Sequence, residues 1–284
     1  EEMKKKWKKR VAAILLILGG ISLVGYPWIS DWCYRLHTQS NVAVYAAEAK
    51  EQSDVTEELM QNAIAYNAWL SEAHITLSDP FTGAQIVEKP ELPYTSQLAL
   101  DDSGILAFIE IPKIHVYLPV YHTTSAEVLQ WGAGHMEGTA LPVGGAGNRP
   151  VISAHSGMNR AQMFSDLSDL ETGDLFHVLD ETLTYQVCDM AVILPEDTQA
   201  LAPEKDRNLV SLVTCTPYGI NTHRLVVTGE RTDETVSEHK TEDRVTSTWK
   251  HAYLKALLLG FGIAGGAGVM IRILSRHRQK VREQ

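Results

Sequence analysis

The chain has 284 residues, 44% of them hydrophobic and 21% charged, with a net charge of −10 at neutral pH, enough for one sizeable core with appendages or for two small domains. That charge is unevenly spread: residues 30–248 hold 32 Asp and Glu against 12 Lys and Arg, a net of −20, while the other 13 basic residues sit in or beside two apolar stretches near the ends. An acidic middle excludes nucleic-acid binding, which depends on basic patches that displace counterions from phosphates.

The basic opening, residues 1–10 (EEMKKKWKKR), leads into nineteen uncharged residues, 11–29 (VAAILLILGGISLVGYPWI). At 1.5 Å per residue a helix of this length crosses a hydrocarbon core of roughly 30 Å. A cleaved leader would have a shorter apolar centre with a small-x-small site directly after it, whereas YPWISDWCYR is bulky; the stretch reads as an uncleaved anchor. Residues 30–73 carry few strand formers and read as two helices, NVAVYAAEAKEQ and EELMQNAIAYNAWL. In the second, Leu59, Ala63, Tyr66 and Leu70 recur at three- and four-residue steps, one face of an amphipathic helix. Residues 74–100 hold three prolines and the turn signal DPFTG, and read as an ordered loop or lid.

From Gly104 the texture changes to seven short strand-like runs: ILAFIEIP, IHVYLPVYH, RPVISAHS, DLFHVLD, LTYQVCDMAVILP, NLVSLVTCT and HRLVVTGER. Short runs separated by turn residues predict an all-β barrel or sandwich. FSDLSDLETGD, between the third and fourth runs, reads as a short helix ending in a glycine turn. A polar tether, residues 232–250, then leads to a second apolar stretch, 251–274, with small residues at close spacing (GIAGGAG), and to the basic tail 275–284. The small residues would let another helix approach closely. With basic residues flanking both spans, the positive-inside tendency puts both tails in the cytoplasm and residues 30–250 outside.

Three cysteines, Cys33, Cys188 and Cys215, leave at least one thiol unpaired in an oxidising compartment. Cys188 lies mid-strand and reads as a packed residue, Cys33 as a membrane-proximal bystander. Cys215 closes one run and Arg224 opens the next. If these runs are antiparallel neighbours joined by TPYGINTH, the thiol and the guanidinium face one another, and such a cation lowers a thiol pKa or holds a substrate carbonyl. A buried, inert cysteine is the competing reading. Among eleven histidines, His155 sits where an apolar run opens into a loop; His135, in the Gly-rich GAGHMEGTALP, is the runner-up. No HExxH or CxxC is present, and His115 and His122 lack a carboxylate at ligand spacing, so neither metal nor cofactor is expected.

In order and spacing, IEIPKIHVYLPVYH, GHMEGTALPVGG, ISAHSG, MFSDLSDLETGD and TCTPYGINTHRLVVTGE resemble the sortases, and among them the class C, pilin-polymerising branch, continuously over residues 104–231. Two spans with both tails inside and the triplet Asp79-Pro80-Phe81 in a lid-like segment agree with this. The resemblance implies a mostly β protein: an eight-stranded sortase-type β-barrel (101–231) with N-terminal helices and a lid loop, flanked by two transmembrane helices, on the outer face of a Gram-positive cell membrane. It implies a cysteine transpeptidase in which Cys215 is the nucleophile, His155 the general acid/base, and Arg224 the group that positions substrate and steadies the oxyanion. Asp79 is then expected to pair with Arg224, and Phe81 to cover Cys215. The implied partners are pilin subunits bearing LPxTG-like sorting signals cut between Thr and Gly, an acceptor lysine of a pilin, and membrane lipid. A sortase that attaches surface proteins to cell-wall peptide is the alternative. The chain departs from the resemblance at SAHSG, where many class C relatives read TGHRG: Ser156 stands in the arginine's place and brings no charge beside His155.

Overall fold

The computed structural model describes residues 53–73, 77–81, 91–158, 161–179 and 183–233, with scattered helical residues between 3 and 36 and Leu258. The chain divides into two compact units, one of Glu1–Tyr26 with Thr246–Gln284 and the other Pro27–Val245. Among the described residues no helix is long and apolar enough to cross a membrane. Nine of the nineteen residues of segment 11–29 and nearly all of 251–274 lie outside those residues, as do the expected helix 41–52, residues 82–90 of the lid segment and most of the tether.

The second unit is an eight-stranded mixed β-barrel with helical residues ahead of it. The strands are β1 (Ile105–Ile111), β2 (Val116–His122), β3 (Ala133–His135), β4 (Val151–Ser153), β5 (Leu175–Val178), β6 (Leu183–Ile193), β7 (Leu209–Thr216) and β8 (His223–Arg231). They close in the order β1-β2-β3-β4-β7-β8-β6-β5. The β2–β3 and β4–β7 pairs are parallel, and the other pairs are antiparallel.

Alternation along the strands builds two cores, because successive side chains take opposite faces. Val210 and Leu212 of β7, Leu225 and Val227 of β8, and Ile152 of β4 join the main core. Their neighbours Val213, Val226 and Val151 instead form a smaller cluster with Met136 and Leu201. Strands covered on both faces carry near-continuous apolar runs, as PVIS, NLVSLV and LVV do. The outer cluster is roofed by Leu77, Phe81 and Ile193.

Helix α1 (Ser53–Glu72) presents the apolar stripe that the spacing predicts, with Ala63, Tyr66 and Leu70 buried. Between them Asn67 grips the backbone of Leu141, donating from Nδ2 to its carbonyl at 3.0 Å and accepting its N–H at 2.7 Å. This anchors the helix just before the lid residues 77–81.

Two expectations about local structure need correction. Strand β3 went unread because glycines surround it. A Cβ at Gly132 would lie 2.6 Å from the Pro119 carbonyl oxygen, and one at Gly134 would run into the Thr123 carbonyl, so close backbone approach demands the residues that sequence reading assigns to a loop. The helix expected in FSDLSDLETGD contracts to a 3₁₀ turn, Leu167–Asp169; so short a segment, rich in Ser and Asp, cannot offset helix nucleation.

Candidate active site

Three strand ends meet at one rim of the barrel. The β7–β8 register sets Cys215 opposite Arg224. Val213 and Cys215 turn their carbonyls toward the β4 side, so this pair is of the non-hydrogen-bonded kind within β7–β8, the kind that brings side chains closest. On the other flank β4 runs parallel to β7 with Ser153 level with Val213; two residues on, His155 comes level with Cys215. Continued two residues past its last paired rung, this register sets the histidine on one side of the Cys215 strand end, while the hairpin sets the guanidinium on the other.

The turn between β7 and β8 holds the arginine. Asn221, at φ +61°, and Gly219, at φ +75°, reverse the chain, and the amides of Ile220 and Asn221 donate to the Pro217 carbonyl at 3.0 and 2.9 Å. Arg224 Nη1 donates back to the carbonyls of Asn221 and His223 at 3.2 and 3.1 Å. Its remaining edge takes Asp79 in a fork: Nε to Oδ1 at 2.8 Å and Nη2 to Oδ2 at 2.7 Å. Both side chains are nearly buried, 10% exposed for Arg224 and 6% for Asp79, where a two-pronged charge-assisted contact is strong.

The segment 77–81 lies across this rim. The Phe81 ring packs under the guanidinium, with Cζ 4.9 Å from its centroid, and beside the His155 ring at 6.0 Å. Pro80 is buried between Asp79 and Phe81, Thr198 Oγ1 donates to the Leu77 carbonyl at 3.3 Å, and Leu201 joins the cluster beneath. A carboxylate thus lies on the guanidinium edge and a ring against the imidazole.

Burial pushes the Cys215 thiol pKa up; Arg224 pulls it back, and Asp79 pushes it up again. Burial lowers the His155 pKa, and the Asp79 contact raises that of Arg224. With the segment in place the resting pair is therefore a thiol and a neutral imidazole. Departure of Asp79 removes one of the two influences that oppose the thiolate and leaves the cation beside it.

The other candidates lie elsewhere. His135 is fully buried at the end of β3, not in a loop. Its Nδ1 accepts from the Tyr94 hydroxyl at 2.9 Å and its Nε2–H donates to the Ala140 carbonyl at 2.8 Å, while burial lowers its pKa to about 4. It is a neutral, fully engaged structural residue. Cys188, on β6, donates its S–H to the Thr228 carbonyl at 3.3 Å and accepts from Arg207 Nη2 at 3.4 Å; Cys33 is exposed. Among the described residues no group of three or more His, Cys, Asp or Glu side chains converges on a metal position. Sequence reading passed over the hydroxyls of Thr214 and Ser156, which reach the carbonyls of Ala154 and Cys215; only the pairing of β4 with β7 exposes them.

The family described as the sortase domain matches residues 109–232. The structure is similar to that of sortase C-1 from Actinomyces oris, at 40% identity and a TM-score of 0.58, covering 64% of this chain and 99% of that one. This chain belongs to the sortase family. Sortases are cysteine transpeptidases, and so is this protein. Further sortases resemble it: sortase A from Corynebacterium diphtheriae, at 35% identity and a TM-score of 0.62, covers 72% of this chain and 97% of its own. Sortase A of Bacillus anthracis is 25% identical over 222 residues, 78% of this chain and 92% of that protein.

Proposed function

We propose that the protein is a pilin-polymerising sortase of class C whose thiol is Cys215. The observation that carries this reading is the two-pronged Asp79–Arg224 contact, which holds a lid over the residue opposite Cys215. With the lid away, the Cys215 Sγ attacks the Thr carbonyl carbon of an LPxTG-like signal, and the proton passes to His155. The oxygen of the tetrahedral intermediate rests on the guanidinium edge that Asp79 vacates. His155 then gives its proton to the departing Gly amine, the Thr–Gly bond breaks, and a thioester remains on Cys215. A lysine Nζ of a second pilin, losing its proton to His155, attacks that thioester, forms an isopeptide bond and frees the thiol.

The acidic stretch 30–248 between basic ends supports an enzyme held at the membrane by spans 11–29 and 251–274, with both tails cytoplasmic and the barrel outside. The similar sortase A enzymes favour a second reading, attachment of surface proteins to cell-wall peptide. Incubating the full chain in detergent with pilins that carry an LPxTG-like signal separates the two. The class C reading expects ladders that survive dodecyl sulfate; hydrolysis alone with every pilin, together with transfer to a wall-peptide amine, would favour the second.

A further inference from the structure

We propose that Ser156 is a positioning residue that fixes Cys215 against His155. The inference rests on the reading of these two as nucleophile and acid/base. Backbone rungs run regularly along the parallel β4–β7 pair, with Ser211 N–H to the Pro150 carbonyl at 2.9 Å and Ala154 N–H to the Val213 carbonyl at 3.2 Å. In that pattern the next two rungs would be Cys215 N–H to Ala154 and Ser156 N–H to Cys215. At this level hydroxyls reach the same carbonyls: Thr214 Oγ1 donates to Ala154 at 2.8 Å, and Ser156 Oγ donates to Cys215 at 2.6 Å. The strands have begun to diverge at His155, and side chains long enough to bridge the gap tie them together.

The tie lies beside the reacting pair. On its far side Gly157, at φ +79°, lets the Tyr218 ring come so near that a Cβ there would lie 3.1 Å from it. The outer edge of the loop is held by Phe164 N–H on the His155 carbonyl at 3.0 Å and by Ser165 Oγ on the Gly157 N–H at 2.9 Å. With the lid closed, Phe81 also packs on His155. Once Phe81 leaves, the Ser156 hydroxyl still joins the histidine loop to the cysteine's own residue. A displacement of about 1 Å between reacting groups costs on the order of a hundredfold in rate.

The pair Ser156→Thr and Ser156→Val tests this, since the two differ in little but the hydroxyl. Full-length enzyme in detergent is assayed for thioester formation with an LPxTG-like peptide, and Cys215 alkylation by iodoacetamide is followed against pH by mass spectrometry. Ser156→Thr should stay within about threefold of the parent. Ser156→Val should lose about 10- to 100-fold in kcat with KM nearly unchanged, and its Cys215 should alkylate more slowly at a given pH, because the imidazole that takes up the thiol proton has moved away. Parent-like behaviour of Ser156→Val, or equal losses in both variants, would overturn the role of the hydroxyl. A thioester formed at some residue other than Cys215 would instead remove the reading on which the proposal rests.

Discussion

Asp79→Ala is expected to raise the alkylation rate of Cys215 by about tenfold or more. The Asp79–Arg224 contact is nearly dry, with exposures of 6% and 10%, and deleting one partner of such a pair leaves an uncompensated charge, at a cost of about 3–5 kcal/mol. In the closed state the orphan would be Arg224. Opening returns it to water, so the deletion disfavours closure specifically, and a shift of about 1.4 kcal/mol already multiplies the open fraction tenfold. A second effect acts in the same direction: Asp79 holds the thiol pKa up while Arg224 lowers it, so the exposed thiol is also the more ionised one. Site-resolved mass spectrometry is needed because Cys33 is exposed and Cys188 half-buried. An unchanged Cys215 rate would refute the latch.

Arg224→Lys is expected to separate the latch from the chemistry. Lysine keeps the charge but not the planar fork, so the two-pronged hold on Asp79 becomes a point contact and alkylation of Cys215 should quicken. Thioester formation should slow by about 10²- to 10³-fold, the usual loss when a preorganised oxyanion donor is removed. The turn carbonyls of Asn221 and His223 aim the guanidinium across the rim, and an ammonium cannot satisfy them and still present two parallel N–H groups to a substrate oxygen. A variant that acylates within about threefold of the parent would show that the fork is not used.

The two reactivities are expected to move in opposite directions in Arg224→Lys and in the same direction in Asp79→Ala, if Asp79 only latches and Arg224 both latches and reacts. In the proposed reading the closed state is a resting enzyme, with the Nε/Nη2 edge of Arg224 occupied by the protein's own carboxylate.

What the sequence made legible was mainly what is local. Cys215 and Arg224 are joined by one hairpin, so strand pairing alone sets them opposite, and the apolar stripe of helix α1 follows from its spacing. The barrel strands showed as apolar runs, except β3, whose glycines answer to the close approach of Pro119 and Thr123 and look like loop residues. His155 stood out only as a histidine at a strand exit, because what brings it level with Cys215 is a parallel pairing between strands sixty residues apart. The same distance in sequence hid the Ser156 contact. Asp79, more than 140 residues from Arg224, was expected from family resemblance alone, since no local pattern links a loop carboxylate to a strand arginine so far away.

The most direct measurement is the intact mass of the Asp79→Ala enzyme after mixing with an LPxTG-like peptide, followed by mapping of the adduct. The account predicts a hydroxylamine-labile acyl group on Cys215, lost in the Cys215→Ala variant and retained in Cys188→Ala. An adduct that persists without Cys215, or that maps to Cys188, would contradict it.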